Sequence, residues 1–335
     1  MDSFVVSRGG ALAELRDQVR RLEALGARGF LMHDHIFVTE GKPRLESRKS
    51  DALVVLAAVA ALSERLQLGT IVSNVALLHP ALLLRQFAQL AVLVGGERVL
   101  AGLGAGWNRE EFEALGLPMA PLAARLERLE ESARLARALF DHGVATLEGR
   151  QVIARDLPLA PLPARPPRLL LGGGSDRVLE IAGRYADVLD LNGSSRAGAR
   201  HDPHARLPNG DARRRLSTTV ADLEESIARV RATARAAGRA PDAVSVSVSI
   251  GDIAFCADSA VAERAAAIAA PAGLPGAALE ECPYVLVGEP ERMRDKLQVL
   301  RDRLGLRQVV FPIGTPWPTI ERLHREVLPR VDSGR

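Results

Sequence analysis

The sequence predicts an α/β fold in which eight parallel strands, each followed by a helix, close into a (β/α)8 TIM barrel. Three observations predict it. Short β-branched or apolar runs alternate with longer helix-periodic segments along the whole chain, which implies parallel pairing through right-handed crossovers. The count of such units reaches eight, which favours a closed barrel over an open sheet. The length of 335 residues suits one large barrel, and no shift in composition marks a second domain. The chain therefore reads as a single domain over residues 1–335, with insertion segments at about 143–167 and 192–216.

The elements follow in order. Ser3–Ser7 reads as a strand, and Ala11–Leu25 repeats apolar residues at helical spacing before Gly26 stops it. Phe30–His33 is the second strand, and Ser50–Glu64 the second helix, with Ser50 as its expected cap. Leu66–Val72 is the third strand, followed by a helix opening at Pro80, a residue suited to a first helical turn. Arg98–Gly104 is the fourth strand, with a short helix at Arg109–Leu115 and a long one at Pro121–Phe140. Gly143–Pro167 is proline-rich without helical periodicity and reads as an excursion.

Arg168–Gly172 and Ala186–Leu191 are the fifth and sixth strands, around a helix at Ser175–Tyr185. Asn192–Leu216 is polar, rich in Arg, Gly and Pro, and long enough for a lid over the pocket. Its Arg196, Arg200 and Arg206 are candidate anion contacts beside the reading of a solvated loop. Thr219–Ala237 is helical, Ala243–Phe255 is the seventh strand, and helices follow at Ser259–Ala270 and Glu289–Leu304. Arg307–Ile313 is the eighth strand, and Pro318–Leu328 a closing helix.

Composition excludes several classes. Hydrophobic residues at 47% and charged residues at 25% describe a core-forming chain rather than a disordered one. Net charge is only +3, and Arg213–Arg215 is the single basic run, so no nucleic-acid partner is expected. Lys occurs only at Lys42, Lys49 and Lys296, an arginine bias that a GC-rich genome explains. Cys256 and Cys282 form no CxxC pair, which argues against a disulfide framework or a cysteine metal site. The chain opens without a basic segment leading into an apolar one, and Ala52–Leu62 is shorter than the ~20 residues of a membrane span. A cytoplasmic protein with no membrane partner is expected.

Barrel chemistry belongs to the loops after the strands, and three motifs fall there. His33-Asp34-His35 ends the second strand. A His-x-His pair can hold a divalent metal, but that chemistry needs further ligands at later strand ends, and only His79 falls near one. The pair reads as pocket lining, and no metal is expected. Gly102-Leu-Gly-Ala-Gly-Trp-Asn108 follows the fourth strand, yet Trp107 stands where a dinucleotide fingerprint needs its third glycine. The glycines either pack tightly at a strand end or let a flat ring pass close, with Trp107 as a wall. Gly172-Gly-Gly-Ser175-Asp-Arg177 joins a strand to a helix and presents free N–H groups to an anion, with Ser175 as cap or phosphate contact and Arg177 as extra charge. An ordinary glycine turn with a serine cap explains the same residues.

Taken together, Leu68-Gly-Thr-Ile-Val72, His79-Pro-Ala81, Gly96-Glu-Arg98, Gly102–Asn108, Glu110–Gly116, Arg168–Gly174, Ile181–Asp187 and Val287–Glu291 resemble the luciferase-like monooxygenase superfamily, in its order and over most of the chain. The resemblance implies a (β/α)8 barrel of the bacterial luciferase type and one of two cofactors. Asp34-His35, the Val72-Ser-Asn74 to His79-Pro80 spacing and Gly-Ala-Gly-Trp-Asn-Arg-Glu-Glu-Phe112 resemble the branch that uses coenzyme F420, a deazaflavin hydride carrier; the other branch uses reduced FMN with oxygen.

Carried over, the resemblance implies that Asp34, Val72, Ser73 and Asn74 lie at the ring, with a non-prolyl cis peptide within Thr70–Ser73. It puts Gly104, Ala105, Gly106 and Trp107 along the cofactor chain, and Gly172, Gly173, Gly174 and Ser175 at its phosphate. Sugar-phosphate dehydrogenase relatives carry a catalytic Glu where this chain has Trp107, which disfavours glucose 6-phosphate as substrate. Proton transfer then falls to His35, aided by Asp34, or to Glu110. A small-molecule substrate and a homodimer are implied, and a separate flavin reductase if FMN is the cofactor. The expected activity is hydride transfer between F420 and a small organic substrate, such as a C=C or C=N bond of secondary metabolism. The rivals are an FMN-dependent monooxygenase and a non-catalytic flavin-binding barrel.

Overall fold

The computed structural model describes residues 1–39, 43–195, 197, 210–312 and 314–331. Its central sheet consists of β1 (Asp2–Ser7), β2 (Gly29–Asp34), β3 (Gln67–Asn74), β4 (Val99–Gly104), β5 (Arg168–Gly172), β6 (Val188–Leu191), β7 (Ser245–Ser249) and β8 (Gln308–Phe311). Each pairs in parallel with the next, and β8 returns to β1, with Ser3 opposite Val309 and Phe4 opposite Val310. Closure leaves the central sheet without an open edge.

The outer layer is α1 (Leu12–Ala24), α2 (Ala52–Ala60), α3 (Pro80–Val94), α4 (Arg109–Ala114), α5 (Leu122–His142), α6 (Asp176–Tyr185), α7 (Gly210–Leu216), α8 (Val220–Ala236), α9 (Val261–Ala269), α10 (Pro290–Leu304) and α11 (Trp317–Arg322). Two hydrophobic cores result. Outward-facing strand residues such as Phe30, Leu68, Leu103, Leu171, Leu189 and Val248 pack under the helices. Inward-facing Phe4, Val6, Leu31, Ile71, Leu100, Leu170, Val188 and Val310 plug the lumen. Side chains alternate faces along a strand, so one layer above this plug is the floor on which a ligand would rest. Strand β7 contributes none of the plug: its sequence Ser-Val-Ser-Val-Ser turns Val246 and Val248 outward and its serines inward.

Local chemistry explains several boundaries. Helix α2 is capped by Asp51, whose carboxylate accepts from Val54 N–H at 2.9 Å, and not by Ser50, whose hydroxyl donates to the Arg8 carbonyl. A carboxylate makes the stronger cap. Helix α3 starts at Pro80 as expected, and His79, the one expected candidate for a third metal ligand, is its cap: Nδ1 accepts from Ala81 N–H.

Two expectations are refined. The excursion at 143–167 contains an antiparallel hairpin, Val144–Glu148 with Ile153–Pro158. The single run Ala243–Phe255 is two strands. After Ile250 donates to Val310 O, Gly251 donates to Tyr284 O, and the chain leaves the barrel to pair Asp252–Phe255 in parallel with Val285–Gly288. The polar insertion ends in α7; Arg196, Arg200, Arg206, His201 and His204 lie outside the described residues. Among the described residues no helix is long and apolar enough to cross a membrane.

Candidate active site at the barrel mouth

The C-terminal ends of β2 to β7 bring the site together. At β2, His35 Nδ1 lies 3.0 Å from Glu111 Oε2. Glu111 belongs to α4 and is only 1% exposed, and its other oxygen accepts from Ile36 N–H at 2.6 Å. A carboxylate only accepts hydrogen bonds, so Nδ1 carries the hydrogen and Nε2 is the nitrogen left for chemistry. This is the base-plus-orienter arrangement that proton transfer requires. The Trp107 ring meets His35 edge-on at 5.4 Å between centroids, and is itself 58% exposed.

Glu110, one residue earlier on α4, accepts from the Thr39 hydroxyl at 3.1 Å and lies 3.9 Å from Arg44. The structure thus brings Glu111 to His35 and directs Glu110 elsewhere. Asn108 fixes the start of α4: its side chain accepts from Glu110 N–H and donates to Phe37 O at 2.9 Å.

Asp34 stands opposite Ser73 in the β2–β3 register. Burial pushes its carboxyl above the ordinary range, partly opposed by a hydrogen bond from Ser73. Burial, helped by neighbouring His35, lowers His33 to about 4, so it is neutral near pH 7. The peptide Ile71–Val72 is cis, inside the segment indicated by the resemblance. The Val72 side chain spreads over Gly104 and Gly172, and a Cβ at either glycine would run into it. Asn74 closes against Gly106, whose φ of +77° suits glycine.

At β5, Gly173 donates to Asp190 O at 3.0 Å, and a Cβ on Gly174 would collide with the Gly193 carbonyl. Ser175 caps α6 by accepting from Val178 N–H. The first N–H groups of α6 have no acceptor within the helix. Arg177 does not add charge here: it pairs with Glu130 and, at 3.2 Å, with Glu180. The glycine run and helix start have the shape and polarity for a phosphate.

Two further residue sets were not read from the sequence as functional. One is Glu111. The other is Asp190 of β6 with Ser247 and Ser249 of β7, whose hydroxyls donate to its two oxygens at 2.8 and 3.0 Å. Burial raises Asp190 to about 7. Two cavities lie away from this mouth. One of about 380 Å³ opens at the barrel base beside Arg168 and Asp187, and one of about 410 Å³ lies between α8, α9 and α10 beside Lys296. Among the described residues no three His, Cys, Asp or Glu converge as a metal site.

The family profile described as luciferase-like monooxygenase matches residues 3–206. The chain belongs to this family. The F420-dependent glucose-6-phosphate dehydrogenase of Kineococcus radiotolerans is 30% identical over 178 residues, covering 53% of this chain and 51% of that protein. Pyrimidine monooxygenase RutA of Escherichia coli is 26% identical over 149 residues, or 44% of this chain and 38% of its own. The chain thus spans about half the length, or less, of these curated relatives. Among solved structures, an F420-dependent secondary alcohol dehydrogenase in complex with an F420–acetone adduct has a TM-score of 0.75 at 16% identity, covering 99% of both chains. Long-chain alkane monooxygenase LadA has a TM-score of 0.73 at 13% identity, covering 99% of this chain and 91% of its own. At such identities the superpositions establish a shared fold, the closed (β/α)8 barrel.

Proposed function

We propose that this luciferase-like protein is a coenzyme F420-dependent oxidoreductase that moves a hydride between the deazaflavin and a small organic substrate. The observation that carries the reading is the His35–Glu111 pair, held beside Trp107 at the barrel mouth. The match to an F420-dependent dehydrogenase supports the choice of cofactor. The residues fit such a group. Gly172, Gly173, Gly174 and Ser175 would hold the phosphate; Gly104, Ala105, Gly106 and Trp107 would flank the chain; Asp34, Val72, Ser73 and Asn74 would border the ring.

When bound, F420 supplies a ring carbon that gives or takes a hydride, while the protein positions the partners and handles the proton. In this reading His35 Nε2 gives or receives that proton, Glu111 holds the imidazole in one tautomer, and Asp34 is a second titratable group beside it. Trp107, edge-on to His35, would form one wall of the site. A homodimer completes the reading.

The match to a pyrimidine monooxygenase favours a second reading, reduced FMN with oxygen and a separate flavin reductase as partner. A non-catalytic flavin-binding barrel is separated by His35→Ala. An enzyme loses about 10²–10⁴-fold in turnover with cofactor affinity nearly unchanged. Wild-type protein that binds the cofactor and turns over no substrate would instead be a binder.

A further inference from the structure

The lumen floor carries a carboxyl group that the proposed proton chemistry does not use. In β6, Val188 belongs to the apolar plug, so Asp190, two residues on, faces the same interior one layer higher. It is 4% exposed. In register it lies between Gly172 of β5 and Ser247 of β7. Gly172 brings no side chain of its own, and the Val72 side chain of β3 lies against it.

A carboxylate has about four acceptor positions, and two are used here by the Ser247 and Ser249 hydroxyls. No Lys, Arg or His of the described residues is within ion-pair distance of it. Tyr284 is close enough for Asp190 to act on its phenol, and its oxygen accepts from Gly193 N–H at 2.9 Å. Among the described residues, the surroundings of Asp190 thus offer an anion hydroxyl donors and no positive charge. A carboxyl so desolvated either keeps its proton or takes a cation from outside.

We infer that Asp190, braced by Ser247 and Ser249, is a specificity-determining residue that anchors a protonated nitrogen of the substrate, an organic ammonium, at the floor of the lumen. The inference rests on the proposed function only in taking this lumen as the substrate pocket. An ammonium brings both the missing charge and N–H donors for the two unused acceptor positions. A neutral hydroxyl brings one donor and no charge.

The test compares benzylamine with its neutral isostere benzyl alcohol by calorimetric titration. It is run at a pH of about 8, above the value of about 7 to which burial moves the carboxyl. Wild-type protein is expected to bind the amine about tenfold or more tighter than the alcohol, as a charge-assisted contact would give. Asp190→Asn loses the preference. Ser249→Ala, which keeps the carboxyl and removes one donor, weakens it; this milder variant keeps the test valid if Asp190→Asn fails to fold. Equal binding of the two probes, no measurable binding of the amine at millimolar concentration, or a preference that survives Asp190→Asn overturns the inference. F420 is titrated separately. An amine preference without F420 binding overturns the cofactor reading alone, and F420 binding without the preference overturns this inference alone.

Discussion

His35 and Glu111 are joined by a 3.0 Å hydrogen bond from Nδ1 to Oε2, and the same carboxylate also holds Ile36 N–H. Glu111 therefore fixes both the tautomer of the imidazole and the turn that presents it. Glu111→Gln leaves one acceptor oxygen for two donors and should cost about 1–3 kcal/mol of stability, the usual cost of an unsatisfied buried group. Nitrogen-15 NMR of the imidazole should show a dominant Nδ1–H tautomer in the wild type and a mixture in the variant. An unchanged tautomer in Glu111→Gln would mean that something else orients His35.

The glycine cradle predicts an order among alanine variants. At Gly174 an added methyl meets the Gly193 carbonyl, which is main chain and yields only if β6 and its loop move. At Gly172 it meets the Val72 side chain, which can shift by a few tenths of an ångström. Gly174→Ala should lose about 1–3 kcal/mol, the usual cost of overpacking, and Gly172→Ala less. Denaturant unfolding of the two variants checks the order, and equal losses contradict it.

Asp190 makes the protein's stability fall as pH rises. Its carboxyl titrates at about 7 in the folded chain against an ordinary 3.8, so between these values the folded state holds the extra proton. The stability it contributes is full below about pH 4 and lost as pH climbs through 7, up to roughly 4 kcal/mol as an upper bound. Asp190→Asn should flatten that part of the profile. A wild-type profile with no decline between these values, or one unchanged by the variant, argues against a buried, proton-holding Asp190.

His33 acts with the opposite sign. Its pKa is lowered from 6.5 to about 4 by burial, with the charge of His35 second. Between these values the unfolded chain binds the proton and the folded chain does not. Stability is thus retained above about 6.5 and lost as pH falls through 4. His33→Gln should remove this acid-side loss, seen as a shallower stability slope below pH 6.5 in urea unfolding at stepped pH. A slope identical to wild type would place His33 in solvent.

The barrel was legible in the sequence because every strand carries outward apolar residues and every crossover a helical period. The seventh strand was read too long, since Ser245–Phe255 keeps one strand-like pattern and only Gly251 marks the exit. Glu111 escaped notice because successive helix residues point about 100° apart and no pattern gives the phase of a six-residue helix such as α4. The Asp190 cluster did leave a signal. Parallel barrel strands are normally apolar on both faces, so the alternating serines of Ser245–Ser249 and the lone acid in Val-Leu-Asp-Leu mark a polar lumen wall.

The central claim is a deazaflavin at the mouth beside His35. It is tested most directly by side-by-side fluorescence titration of the purified protein with oxidised F420 and with FMN. The account predicts F420 binding at micromolar or lower dissociation constant and FMN binding at least about tenfold weaker, a difference of about 1.4 kcal/mol. Tighter binding of FMN would contradict it and make oxygen-dependent monooxygenation the working mechanism.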